Sequence, residues 1–394
     1  MSTSETSEMT PRERLLTALN HKEPDRIPYD LGSTSITGIS LFAYRRLLDH
    51  LDIEIDDIPV FDFAPQLAQV DEQVLQQFKV DTRGLRARGN HGPDSTSDWR
   101  LEVHEEKGRK VFTDEWGIKW KLASNNLYYD MEHHPLSGEL TQEDIDNRIW
   151  PNFRDPVRIE GYREIFEQMQ EAGYATILQL GAGLFERSLW IRNYTDFYID
   201  MAGNPKLAGY LLDKHTDLRM DFWDMALGEL GDVVDVVIEQ DDLGWQDRPM
   251  ISPQMYRDMI KPRHKRLFSF IKERAPNAYL FLHTDGAIFD MIPDLIEIGV
   301  DILNPVQVDA VGMDSSRVKP AFGDDLVFWG AGVESMTTLP KGTPQQVRDD
   351  VKRRIDDMAP GGGFVFTTIH NIQADVPPEN IMAMWETLQE YGKY

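Results

Sequence analysis

The stretch "FLHTDG" (281–286) ends an apolar run on a histidine and an aspartate two residues apart. Side chains at i and i+2 of a strand share a face, so His283 and Asp285 can grip one metal ion together. A third nitrogen is on offer in His370, within "TTIHN" near the carboxyl end. Two imidazoles, a carboxylate and an open fourth position make the donor set of a catalytic zinc site. A His-x-Asp pair is nevertheless common by chance. An Asp that caps the helix of "AIFDMIPDLIEIG", beside a buried core His, explains the same residues without a metal. The stretch "EQDDLG" poses a similar choice. Glu239, Asp241 and Asp242 could shift one another's pKa and serve as general acid, base or extra ligand, or could simply close a turn. Gln179, Asn304, Gln307, Asn371 and Gln373 also follow short apolar runs and are the expected substrate contacts.

All these residues stand at the ends of like segments. "RIPYDLG", "YATILQLGAG", "VVDVVIEQDD", "AYLFLHTDG", "VDILNPVQ", "LVFWGAG" and "GFVFTTIHN" are apolar runs that finish in polar residues or Gly. Helices lie between them, and their starts are legible. Thr10–Pro11 with Glu13, Ser252–Pro253 and Thr343–Pro344 each pair an N-cap with Pro at the first helical position. Near-continuous apolar strands alternating with helices indicate a parallel sheet covered on both faces. Seven or eight such units predict a (β/α)8 TIM barrel, whose functional residues sit at the carboxyl ends of the strands. An open doubly wound sheet is the second choice, weakened because no Gly-x-Gly-x-x-Gly follows any strand. Residues 80–150 break the rhythm with two-residue alternation and Gly turns, which predicts an antiparallel β insertion. It would lid the mouth or form a dimer contact. Alternating aromatics there, Trp116, Trp120, Tyr128 and Tyr129, read as core more readily than as pocket lining. His133 and His134 receive no role.

Composition narrows the function classes. The chain carries 41 basic and 67 acidic residues, a formal charge of −26. Nucleic-acid binding needs a basic face, so no nucleic-acid partner is expected, nor an anionic membrane surface. There are no cysteines, which removes disulfides, thiolate metal sites and cysteine nucleophiles together. No run is long and apolar enough to span a membrane. "MSTSETSEMT" lacks the basic start and apolar core of an export signal, so the cytoplasm is expected. Residues 1–8 read as a solvated tail, and 9–394 as one barrel domain with its insertion.

The quoted segments resemble a known family. "MTPRERLLTALNHKEPDRIPYDLG", "ISPQMYRDMIKPRHKRLFSFIKE", "HTDGAIFDMIPDLIEIGVDILNPVQ" and "PGGGFVFTTIHNIQADVPPENIMAM" are similar, in the same order, to the uroporphyrinogen decarboxylase superfamily. That superfamily includes the decarboxylase and zinc-dependent methyltransferases that serve corrinoid proteins. The resemblance covers most of residues 9–390 and implies a (β/α)8 barrel with its site at the carboxyl ends. In the methyltransferases a His-x-Cys and a later Cys hold zinc. Those positions match His283, Asp285 and His370, so both thiolates are replaced by residues that still ligate. Such a site is harder and more Lewis acidic, better suited to polarising a substrate oxygen than to activating a thiol. The resemblance thus implies methyl transfer from a small O- or N-methylated donor to a separate corrinoid protein, with zinc or another divalent metal. No Asp-x-His-x-x-Gly corrinoid motif occurs in the chain. The alternative is a decarboxylase of a small carboxylated molecule or tetrapyrrole. Its Arg-rich N-terminal motif has no counterpart in "DRIPYDLGSTSITG", and Arg83, Arg86 and Arg88 are the substitute anion clamp, or else exposed arginines on a polar hairpin. A homodimer is the expected assembly.

Overall fold

The computed structural model describes residues 8–89 and 102–394. The tail expected over 1–8 lies, but for Glu8, outside the described residues. Seven parallel strands form the main sheet: β1 (Thr82–Arg86), β2 (Ala175–Ala182), β3 (Val236–Gln240), β4 (Tyr279–His283), β5 (Ile302–Asn304), β6 (Val327–Ala331) and β7 (Phe364–Thr367). Each pairs with its neighbour in sequence. The "RIPYDLG" segment supplies the eighth stave. Phe366 N donates to Pro28 O (2.8 Å) and Asp30 N to Phe366 O (3.0 Å), while Asp81 N donates to Tyr29 O (2.8 Å). These bonds bring β7 and the β1 side together and close the ring, as the strand–helix alternation predicts.

Strand alternation divides the apolar residues between two cores. Ile177, Val236, Ile238, Phe281, Ile302 and Trp329 fill the barrel, together with Leu15 and Leu19. The latter two come from the helix Pro11–Leu19, which starts in a Thr10 capping box and plugs the amino end. Its position is held by Arg12 N donating to Gly173 O (2.7 Å) and Gly363 N to Ala18 O (3.1 Å). The alternate residues, such as Leu178, Val237, Leu280, Leu303 and Phe328, belong to the second core, which includes the surrounding helices. Each fully buried side chain of this size contributes about 1.5–3 kcal/mol. With the amino end plugged by apolar residues, polar strand ends can open only at the other end.

Two expectations need refinement. Residues 82–86 read as part of the antiparallel insertion, but they form barrel strand β1, parallel to β2. The antiparallel sheet is His104–Glu106, Arg109–Thr113, Lys119–Leu122 and Tyr129–His133, paired in sequence order. Local alternation cannot tell an antiparallel strand from a barrel strand with one polar face. The helix expected from Ser252 is also interrupted. After the Ser252 cap it widens into a π turn over Tyr256–Ile260 before continuing as Lys261–Arg274. Pro262 has no N–H for the carbonyl of Asp258, which accounts for the break. Among the described residues no helix is long and apolar enough to cross a membrane.

Candidate metal centre

Strand β4 ends on His283, buried at the floor of the mouth. Its Nδ1 lies 2.5 Å from Asn304 Oδ1 at the end of β5, while Asn304 Nδ2 donates to Trp329 O (2.6 Å). Because the amide nitrogen is spent on a carbonyl, the facing atom is an acceptor. It holds the ring proton on Nδ1 and leaves the Nε2 lone pair free. Asp285 follows after Thr284, whose hydroxyl accepts from Leu243 N (3.0 Å). The chain then turns through Gly286 (φ +90°), where any Cβ would fall 2.3 Å from the Gly244 backbone. Asp285 caps no helix: Phe289–Met291 and Ile292–Glu297 both start without a side-chain cap.

His370 comes from the loop after β7. Its Nε2 and that of His283 each lie 3.9 Å from Asp285 Oδ2. The imidazole rings are 5.7 Å apart, and one ligand atom from each residue lies within 4.8 Å of the others. Tetrahedral ligands about 2.1 Å from an ion are about 3.4 Å apart, so seating one would shorten the two His–Asp separations by about half an ångström and draw the two histidines together by up to about 1.4 Å. The electrostatics also fit. Asp285 Oδ1 is buried with no hydrogen-bond partner, a debt a cation would cancel. Enclosure in the cleft lowers the pKa of His370, favouring the neutral, ligating imidazole. Two nitrogens and a carboxylate oxygen suit zinc or Fe(II), whereas magnesium prefers oxygen alone.

Of the paired carboxylates, only Asp242 reaches the cavity. Its Oδ1 accepts from Asp285 N (3.1 Å) and stands 3.7 Å from His283 Nε2. Enclosure first, and the Asp285 charge second, push its pKa up to about 6. Glu239 points the other way, to the helix Pro205–Leu230, where it pairs with Arg219 (2.7 Å) and accepts from Trp223 Nε1 (2.5 Å). Asp241 is buried among donors: Phe185 N (2.9 Å), Glu186 N (2.6 Å) and His264 Nε2 (2.9 Å). Both are structural, because adjacent residues on a strand face opposite sides.

The expected substrate contacts divide likewise. Asn371 lines the cavity, with its amide fixed by Gly38 N (2.6 Å) and Ser35 O (2.9 Å). Asn304 instead orients His283. Gln179 ties Ser35 and Gln240 together beneath the floor. Gln307 holds Gly286 N (2.8 Å), and exposed Gln373 bonds Asn371 O (3.0 Å). Arg83 and Arg86 are neither exposed nor free, since they are buried on β1 and paired with Glu72 and Asp62 (2.8 Å each). Arg88 lies over the Tyr162 ring and donates to Val157 O (3.3 Å).

The cavity above the cluster measures about 340 Å³. Trp116, Trp120 and Tyr129 are buried core residues, as expected, but Trp120 and Tyr129 also roof this cavity together with exposed Tyr128; Trp116 is enclosed beside Trp150, Phe153 and His215. Glu186, Trp190 and Tyr194 complete the wall and were not anticipated. They follow β2 on the helix Leu184–Arg192 and the start of the next, Tyr194–Gly203. Extending the strand-end reading by one helical turn would have found Glu186. Burial, then the charges of Asp242 and Asp241, raise its pKa well above the usual carboxylate range.

A closed parallel barrel with a His–Asp–His cluster at its carboxyl mouth defines an enzyme-like centre. The family model described as uroporphyrinogen decarboxylase (URO-D) matches residues 188–391, and the chain belongs to that family. A uroporphyrinogen decarboxylase of Pseudoalteromonas translucida is 33% identical over 196 residues, 48% of this chain and 49% of that one. Another, of Psychromonas ingrahamii, is 27% identical over 185 residues, 45% and 46% of the two chains. The chain's match thus spans about half the length of these relatives. Among solved structures, a methyltransferase from Methanosarcina mazei superposes with a TM-score of 0.63 at 16% identity, covering 98% of this chain and 99% of that one. The two share the fold.

Proposed function

We propose that the protein moves a methyl group from a small O- or N-methylated substrate to the cobalt of a separate corrinoid protein. The observation that carries this reading is the cluster of His283, Asp285 and His370 opening onto the cavity. These three residues would hold zinc or another divalent ion. Bound there, the ion would supply Lewis acidity to a substrate heteroatom. Asn304 keeps His283 aimed at the ion's position. Asp242, with a pKa of about 6, retains its proton in part near neutrality and can give it to a departing oxygen or nitrogen. Trp120, Tyr129 and Trp190 exclude water around the reacting bond. In the transfer the carbon–heteroatom bond breaks, its pair stays on the heteroatom, and Co(I) contributes the pair of the new bond.

The cavity disfavours a tetrapyrrole. Its volume is at the small end of ligand pockets, about 300–1,000 Å³. No Lys or Arg is among its described lining residues, so a polycarboxylate would meet Asp62, Glu186 and Asp242 with no guanidinium or ammonium group to hold it. The test is elemental analysis of protein purified without chelator, followed by incubation with Co(I) cobalamin and a panel of methoxy and N-methyl compounds. One metal per chain and methylcobalamin dependent on His283, Asp285 and His370 are expected. Carbon dioxide release from a carboxylated substrate, undiminished by chelator, would overturn the proposal.

A further inference from the structure

Aromatic rings and carboxylates surround the open side of the cavity, and metal binding leaves most of them unused. Trp120 and Trp190 meet edge to face, with centroids 5.7 Å apart at 84°, so their faces make two walls at right angles. Trp120 is fixed by donating Nε1–H to Asp114 Oδ2 (2.9 Å). Tyr129 is wedged against Phe63 and Phe112, each 5.1 Å away, and Tyr194 leans on Trp245 at 6.4 Å. The rings are therefore in place before any ligand arrives.

Glu186 and Asp242 share these walls, with Asp285 beside them. The remaining acid, Asp62, is paired with Arg86. Glu186 faces the cavity from the helix Leu184–Arg192, and no Lys or Arg is among the described lining with it. A divalent ion on His283, Asp285 and His370 would answer Asp285 and leave the Glu186 and Asp242 carboxyls on the cavity wall with no Lys or Arg opposite them. Aromatic faces around uncompensated negative charge recognise a compact, weakly hydrated cation. A neutral methoxyarene could stack on the same rings but would leave these two carboxyls without a cationic partner.

We infer that the substrate is a cation, an amine whose methylated ammonium group seats among Trp120, Tyr129, Trp190 and Tyr194 against Glu186 and Asp242. This rests on the methyl-transfer reading above and narrows its donor class, whichever methyl group of the molecule moves. Titration calorimetry on the metal-loaded protein tests it with choline and its neutral isostere 3,3-dimethyl-1-butanol. Choline should bind roughly tenfold tighter or more. Glu186→Gln should weaken choline several-fold and leave the alcohol unchanged. Trp190→Leu should weaken both, with Trp190→Phe restoring much of the loss and circular dichroism confirming the fold. Equal affinity for the two isosteres overturns the cation site. Guaiacol that binds and is demethylated by Co(I) cobalamin, while choline does neither, also overturns it and leaves methyl transfer standing. Choline discrimination accompanied by decarboxylation and no methylcobalamin keeps the cation site and removes the transfer reading.

Discussion

A histidine that ligates metal must offer one nitrogen and commit the other. Asn304 performs that second task for His283, and its own amide is locked by Trp329 O, leaving no freedom to flip. Asn304→Leu should leave the barrel folded but weaken metal binding about 10–100-fold, read by chelator competition. His283→Ala should abolish stoichiometric metal. A second histidine makes the opposite use of burial. His215 is enclosed beside Trp116 and Trp150, 5.5 Å from each, and burial pushes its pKa down to about 3. In the unfolded chain it titrates near the ordinary value of about 6.5. Between those values the unfolded state binds the extra proton. Stability from this group is therefore complete above about pH 6.5 and declines as pH falls towards 3, by up to about 1.4 kcal/mol per unit. Urea midpoints of the wild type should fall more steeply between about pH 6.5 and about pH 5 than those of His215→Gln. Parallel slopes would refute the assignment.

The helix Leu184–Arg192 shows how an element can be positioned by a neighbour. Gly183 gives it no side-chain cap, and Asp241 on the adjacent segment accepts the N–H groups of Phe185 and Glu186 instead. Strand and helix come so close here that a Cβ on Gly183 would fall 1.9 Å from Gln240 O. Asp241 thereby sets the place of Glu186 and Trp190 in the cavity wall. Asp241→Asn should cost about 3 kcal/mol, since it breaks a buried pair with His264 as well as a cap. Asp242→Asn should change stability by less than about 0.5 kcal/mol while lowering turnover. Urea unfolding and steady-state assays on the two variants separate the roles. Spacing could not: the two residues are neighbours of one type, and only the direction each faces distinguishes them.

At the scale of the whole molecule the formal charge of −26 dominates. Acidic side chains spread over one compact body repel one another, and dissolved salt screens that repulsion. The unfolding temperature should rise as NaCl goes from about 10 mM to about 200 mM, where the screening length drops from about 30 Å to below 10 Å. A flat or falling profile in differential scanning calorimetry would show that the exposed ion pairs outweigh the repulsion. The same excess of acid continues into the cavity, where no Lys or Arg is among the described lining, so the cation preference proposed above and the solution behaviour would share one cause.

Hydrophobic period and capping chemistry act locally, and both can be read along the chain. They identify the barrel strands, the Thr10, Ser252 and Thr343 helix starts, and the strand ends that carry His283, Asp285 and His370. Parallel strands in sequence order bring those ends to one mouth without further information. Tertiary structure decided what depends on direction and on distant partners. Glu239 and Asp241 turn away from the mouth while Asp242 turns towards it, because the partners of the first two, Arg219, Trp223 and His264, come from helices distant in sequence. Asn304 and Gln307 serve the backbone and a neighbouring ring rather than substrate, because their partners lie one strand over. Trp120 and Tyr129 belong to the core and also border a cavity, because the far wall, Glu186, Trp190 and Tyr194, arrives from two helices more than fifty residues later. A side chain's type is written at its own position, but its surroundings are assembled from the rest of the chain.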